Sequence, residues 1–123
     1  MKAKVRYFHS PDIDLDNFHP ENPEEFSFLL QAFVAAEEDE KGEQSVSFGV
    51  ITPRKLEERV HAERVVFGRP FVVVSSPDVP RVLATVRAAI EKIEAESWDG
   101  IARRLERLGI YEFEGYIPYK PPS

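Results

Sequence analysis

The stretch FSFLLQAFVAAEEDEKGEQSVSFGVI, residues 26–51, decides between a helical and a sheet-based fold. Propensity alone would allow a helix over its first half. The apolar side chains, however, recur every second residue: Phe26, Phe28, Leu30, Ala32 and Val34 share one face, and Ser27, Leu29, Gln31 and Phe33 the other. Aromatic spacing of two marks a strand. The charged run 37–43 then reads as a hairpin connection, with Gly42 free to take a positive φ. Val46, Phe48 and Val50 form the returning strand.

Working outward, residues 3–10 also alternate. Val5, Tyr7 and His9 point one way and Lys4, Arg6 and Phe8 the other, which predicts a half-buried strand with His9 as a hydrogen-bonded core histidine. Pro11, Pro20 and Pro23 make 11–25 a loop. Thr52-Pro53 opens a helix, a capping hydroxyl followed by proline where no amide is needed, with Leu56 and Val60 as its inner stripe. Residues 65–74 read as a strand interrupted at Gly68-Arg69-Pro70. Ser76-Pro77 repeats the capping signal before Val79, Val82, Leu83, Val86, Ile90 and Ile93 at helical spacing. Ser97 caps a third helix, with Trp98, Ile101, Ala102, Leu105 and Leu108 inward, and Gly109 ends it. Tyr111 and Phe113 suggest a last short edge strand, and the tail 118–123 is proline-rich. The order β-β-β-α-β-α-α-β predicts one α+β domain over residues 1–123, a mostly antiparallel sheet with about three helices packed on one face.

Composition narrows the function. The 123 residues contain no cysteine, which excludes disulfides, thiolate metal sites and cysteine catalysis. No apolar run approaches the roughly 20 residues of a membrane helix, and the basic start MKAKVRYFHS lacks the apolar stretch of a signal peptide. A soluble cytoplasmic protein is expected. The formal charge is −6 and unevenly spread: residues 1–50 carry four basic and eleven acidic side chains, residues 51–123 twelve and eleven. An acidic half argues against nucleic acid as a direct partner and favours a basic protein surface.

Two acidic clusters stand out. Asp12, Asp14 and Asp16 alternate with Ile13 and Leu15. A calcium loop would need glycine at its sixth position and glutamate at its twelfth, where this chain has Asn17 and Pro23. Outward carboxylates with Ile13 and Leu15 inward are the expectation. Glu37, Glu38, Asp39, Glu40 and Glu43 crowd the hairpin tip, either as a solvated turn that discourages edge pairing or as a partner surface. His9, His19 and His61 show no zinc-helix spacing, and no phosphate loop or nucleophile elbow is present. Arg103, Arg104 and Arg107 line the outer face of the third helix, and Trp98 at its start is a core anchor or, if exposed, a binding hot spot. No catalytic residue, metal ligand or cofactor is assigned.

Several segments, in order, resemble the immunity protein 8 family of bacterial polymorphic-toxin systems. They are His9-Ser10-Pro11-Asp12, Pro20-Glu21-Asn22-Pro23-Glu24 leading into Phe26-Ser27-Phe28-Leu29-Leu30-Gln31, Gly42-Glu43 before Ser45-Val46-Ser47-Phe48, then Thr52-Pro53, Ser97-Trp98, Leu108-Gly109 and Tyr111-Glu112-Phe113-Glu114-Gly115-Tyr116. Tyr111 departs from the tryptophan common there. The resemblance implies a non-catalytic protein that binds and blocks a cognate toxin domain; it supplies no interface residues. From charge alone, Asp12, Asp14, Asp16, Glu37, Glu38, Asp39, Glu40 and Glu43 are the candidate partner-binding residues. The rival readings are a small regulatory or structural domain dimerising through an edge strand such as 110–114 or 65–74, and a hydrolytic enzyme using His9 or His19 with nearby carboxylates.

Overall fold

The computed structural model describes residues 1–39 and 42–112. Its strands are β1 (Ala3–His9), β2 (Ser27–Ala36), β3 (Gln44–Ile51), β4 (Phe71–Val73) and β5 (Ile110–Tyr111), and its helices α1 (Pro53–Glu63), α2 (Val79–Glu91) and α3 (Trp98–Leu105). The element order is the expected one. The sheet runs β1-β2-β3-β4, with β5 also on β3. Three of its four pairings are antiparallel; β3 and β4 are parallel, joined through α1.

The β2–β3 hairpin forms the middle of the sheet in unbroken register from Ser27↔Ile51 to Val34↔Gln44. Its alternation falls as read: Phe26, Phe28, Leu30, Ala32 and Val34 are buried, facing the same core as Val46, Phe48 and Val50. Onto this face pack Val82, Val86 and Ile90 of α2 and Ile101, Ala102 and Leu105 of α3. Thr52 ties the hairpin base to α1. Its hydroxyl accepts from the amides of Phe26 (3.2 Å) and Lys55 (3.4 Å), so one buried side chain joins the start of β2 and caps the helix. Leu56 of α1 is half-buried and Val60 exposed; the helix has no fully buried residue, and its Arg59 guanidinium lies 5.2 Å from the centre of the Phe71 ring.

β1 departs from simple alternation. Val5 pairs with Val34 but Tyr7 with Phe33, so Arg6 is an extra residue in a β-bulge. Val5 points into the core, whereas Tyr7 lies on the opposite face and stacks on Phe33, ring centres 4.6 Å apart. Phe8 is thereby turned inward, under the Arg87 guanidinium. His9 is exposed, which corrects its expected core role: the bulge reversed the face that the sequence pattern assigned to it.

The outer edge of β1 is closed without another strand. The amide of Val5 donates to Glu91 Oε2 (3.0 Å), its carbonyl accepts from Arg87 Nη1 (3.1 Å), and the amide of Ala3 donates to the Ile93 carbonyl (3.1 Å). Side chains one turn apart on α2 thus satisfy the backbone groups an edge strand leaves open.

Other expectations shift by a few residues. The strand expected over 65–74 is confined to Phe71–Val73; Val65 and Phe67 are exposed, and the Arg69–Pro70 peptide is cis. The cap of α2 is Asp78, not Ser76, with Pro80 in its first turn. Gly42 does not adopt a positive φ; its amide donates to Asp39 Oδ1 (2.9 Å), and a Cβ there would meet the Asp39 carboxylate. The left-handed residue is Arg64, with φ 71° at the end of α1. Phe113 and the tail lie outside the described residues.

Gly109 follows the last turn of α3, but closeness rather than a positive φ requires it. A Cβ at this position would lie 2.6 Å from the Ser47 carbonyl oxygen and 2.9 Å from the Phe48 and Val46 side chains. Urea denaturation should therefore separate two substitutions by sign. Gly109→Ala is expected to destabilise by about 1–3 kcal/mol through overpacking, and Arg64→Gly to stabilise by roughly 1 kcal/mol by relieving the left-handed backbone. Equal midpoints for the two variants would refute both assignments.

Candidate functional site

The hairpin tip and the start of α3 meet at one end of the sheet. Ser97 caps α3 by accepting from the Gly100 amide (3.2 Å), and Trp98 is its first helical residue. The indole Nε1–H is shared between Gln44 Oε1 (2.7 Å) and the Tyr111 hydroxyl (3.0 Å). Tryptophan has only this donor, so the bond fixes the ring and pins α3 to β3 and β5 together. Beside it opens a cavity of about 290 Å³. Met1, Val34, Ala35, Ala36 and Trp98 give it an apolar lining, and the exposed Glu38, Asp39 and Glu43 border it.

Glu43 also faces the open side of the sheet, where its carboxylate accepts from the Tyr7 hydroxyl (2.9 Å). That hydrogen bond, with some loss of hydration and the nearby negative charge, raises the Tyr7 pKa. Tyr111 is raised as well, by burial first and then by surrounding carboxylates, against the lowering effect of the Trp98 hydrogen bond.

The candidate carboxylates do not form one surface. Asp12 lies beside Leu29, near the start of β2, and the hairpin carboxylates lie beyond Ala36, at its end. The separation along the strand is roughly 23 Å at about 3.3 Å per residue, far beyond a Debye length of about 8 Å in physiological salt. The aspartates are also engaged locally. Asp12 Oδ2 accepts from the Leu29 amide (2.7 Å), just past the last β1–β2 pair at Gln31, and Asp14 Oδ1 accepts from the Asp16 amide (2.9 Å). Ile13 and Leu15 pack against the core, while all three aspartates are exposed. Asp16 borders a second cavity, of about 530 Å³, between the 15–19 loop and α2, which also holds His19 and Arg87. His61 is exposed on α1, away from both. Among the described residues no three His, Asp or Glu side chains converge as a metal site would need.

At the hairpin, Glu37, Glu38, Asp39 and Glu43 are exposed, and Glu40 lies outside the described residues. Among the ion pairs of the described residues, carboxylates of the loops and helices take part (Glu24, Glu58, Glu63, Asp78, Glu91 and Asp99), but Glu37, Glu38 and Glu43 do not. The arginines of α3 are partly used: Arg103 pairs with Asp99, and Arg104 donates to the Glu94 carbonyl. The cavity itself was not legible in the sequence, because Val34, Gln44 and Trp98 come from three elements; the lone tryptophan was its one signal.

An exposed acidic hairpin end thus adjoins an aromatic-walled cavity on an α+β scaffold. The family model for immunity protein 8 matches residues 3–116, and the chain belongs to that family. No curated protein and no solved structure matches it.

Alkaline titration tests the burial of Tyr111 beside Trp98. Because the folded pKa of Tyr111 is raised, its contribution to stability is fully present below its ordinary value of about 10 and is lost as pH rises through the higher folded value. Tyr111→Phe should cost about 0.5–1.5 kcal/mol at neutral pH and flatten the loss of stability above pH 10. Denaturation midpoints that keep the same alkaline slope in the variant would contradict the assignment.

Proposed function

We propose that this protein is a non-catalytic immunity protein that binds a cognate toxin domain in the cytoplasm and blocks it, and that the hairpin carboxylates supply the electrostatic attraction. The observation that supports this reading is the contrast in charge pairing. On and beside the helices Glu58, Glu63, Asp78, Glu91 and Asp99 pair with arginine or lysine, although Glu57 does not, whereas Glu37, Glu38 and Glu43 crowd one exposed turn with no ion pair among the described residues. Like charges gathered in one turn cost stability and attract a basic surface, raising association rates by steering. A toxin with a basic face around its active site would meet this end first. Asp12 and Asp14 have local backbone partners and are assigned a lesser part; Asp16, exposed at the second cavity, completes that weaker patch.

The test is a binding study with the toxin domain encoded beside this protein. Stopped-flow association should slow steeply as salt rises. Reversal of Glu37, Glu38, Asp39 and Glu43 to lysine is expected to lower the association rate by about 10–1,000-fold, with a smaller change in dissociation. Reversal of Asp12, Asp14 and Asp16 should have a smaller effect on rate. A rate indifferent to salt and to the hairpin reversal would refute the electrostatic interface; no binding at any salt would refute the immunity reading for this pair.

A further inference from the structure

We infer that the cavity beside Trp98 receives one long basic side chain, arginine or lysine, from the toxin. The identity of the donor rests on the immunity reading; the chemistry of the cavity does not. The lining supplied by Val34, Ala35 and Ala36 suits a methylene stem, which long cationic side chains bury readily while keeping the charged head near polar groups. Trp98 adds an aromatic wall. Its N–H is already satisfied by Gln44 and Tyr111, so the ring is held in place and offers its π system rather than its donor. The head of the side chain would then meet Glu38 and Asp39, exposed at the cavity, with the charge of Glu43, held by the Tyr7 hydroxyl, at its border.

Size points the same way. About 290 Å³ is at the lower limit of the roughly 300–1,000 Å³ typical of small-molecule sites, enough for a single side chain. The larger cavity near His19 gathers no like set of charges: Asp16 and Arg87 both line it, and the Arg87 guanidinium is committed to the Val5 carbonyl and to Glu91. Arginine and tryptophan are both enriched among the residues that dominate binding energy at the centre of interfaces.

Trp98 is the sole tryptophan of the chain, so intrinsic fluorescence reports directly on the cavity. The full chain is titrated with N-acetyl-arginine amide, N-acetyl-lysine amide and the uncharged N-acetyl-norleucine amide. A saturable change with both cations in the millimolar range, roughly tenfold tighter than with norleucine, is expected. Combined Glu38→Gln, Asp39→Asn and Glu43→Gln should weaken the cation response about tenfold. These changes keep acceptor oxygens for Gly42 and Tyr7, so the fold should be retained, as an unchanged melting midpoint would verify. No saturable response, an equal response to norleucine, or undiminished cation binding by the triple variant would each overturn the inference, even with toxin binding intact. Cation binding by the cavity without any toxin binding would instead overturn the assignment of the toxin as donor.

Discussion

The arrangement of the acidic end depends on how closely residue 109 approaches β3. Only a residue without a side chain can lie against the Ser47 carbonyl and the Val46 and Phe48 side chains. That approach lets Ile110 and Tyr111 pair with Ser47 and Val46, while Phe71 to Val73 pair with Gly49 to Ile51 farther along the same edge. One eight-residue strand thus carries two short partners end to end. Tyr111 is brought beside Trp98, the indole is held against Gln44, and the start of α3 is fixed next to the hairpin. The cavity wall therefore follows from backbone packing some ten residues away from the tryptophan itself.

Much of this architecture was legible in the sequence where one physical signal acted alone. The β2–β3 hairpin followed from uninterrupted alternation, and Thr52-Pro53 and Ser97 marked real helix starts. Errors arose where two signals competed or a contact was long-range. Val5, Tyr7 and His9 alternate perfectly, yet nothing local reveals the extra residue at Arg6; only pairing with β2 does. Ser76-Pro77 and Asp78 with Pro80 carry the same capping chemistry two residues apart, and the burial of Val79 and Val82 selects the second. Gly109, read as a helix-ending device, serves instead as a place of close approach, which depends on the distant β3 residues it meets.

The candidate site divides along the same line. The described members of both acidic clusters are exposed, but charge counts could not place the clusters at opposite ends of β2. Nor could they show that Asp12 extends the sheet, its carboxylate binding the Leu29 amide just past the last β1–β2 pair. A carboxylate so committed holds its loop as much as it colours the surface. At the hairpin, the Asp39 carboxylate accepts from the Gly42 amide and that of Glu43 from the Tyr7 hydroxyl.

The bulge at Arg6 divides β1 into two halves with different duties. Ala3 and Val5, before it, spell the core; Tyr7, after it, stacks on Phe33 on the opposite face and reaches Glu43. Because the extra residue absorbs the change of phase, a substitution at Tyr7 would reshape the open face of the sheet around Phe33 and Glu43 while leaving the side chains of Ala3 and Val5 in the core untouched.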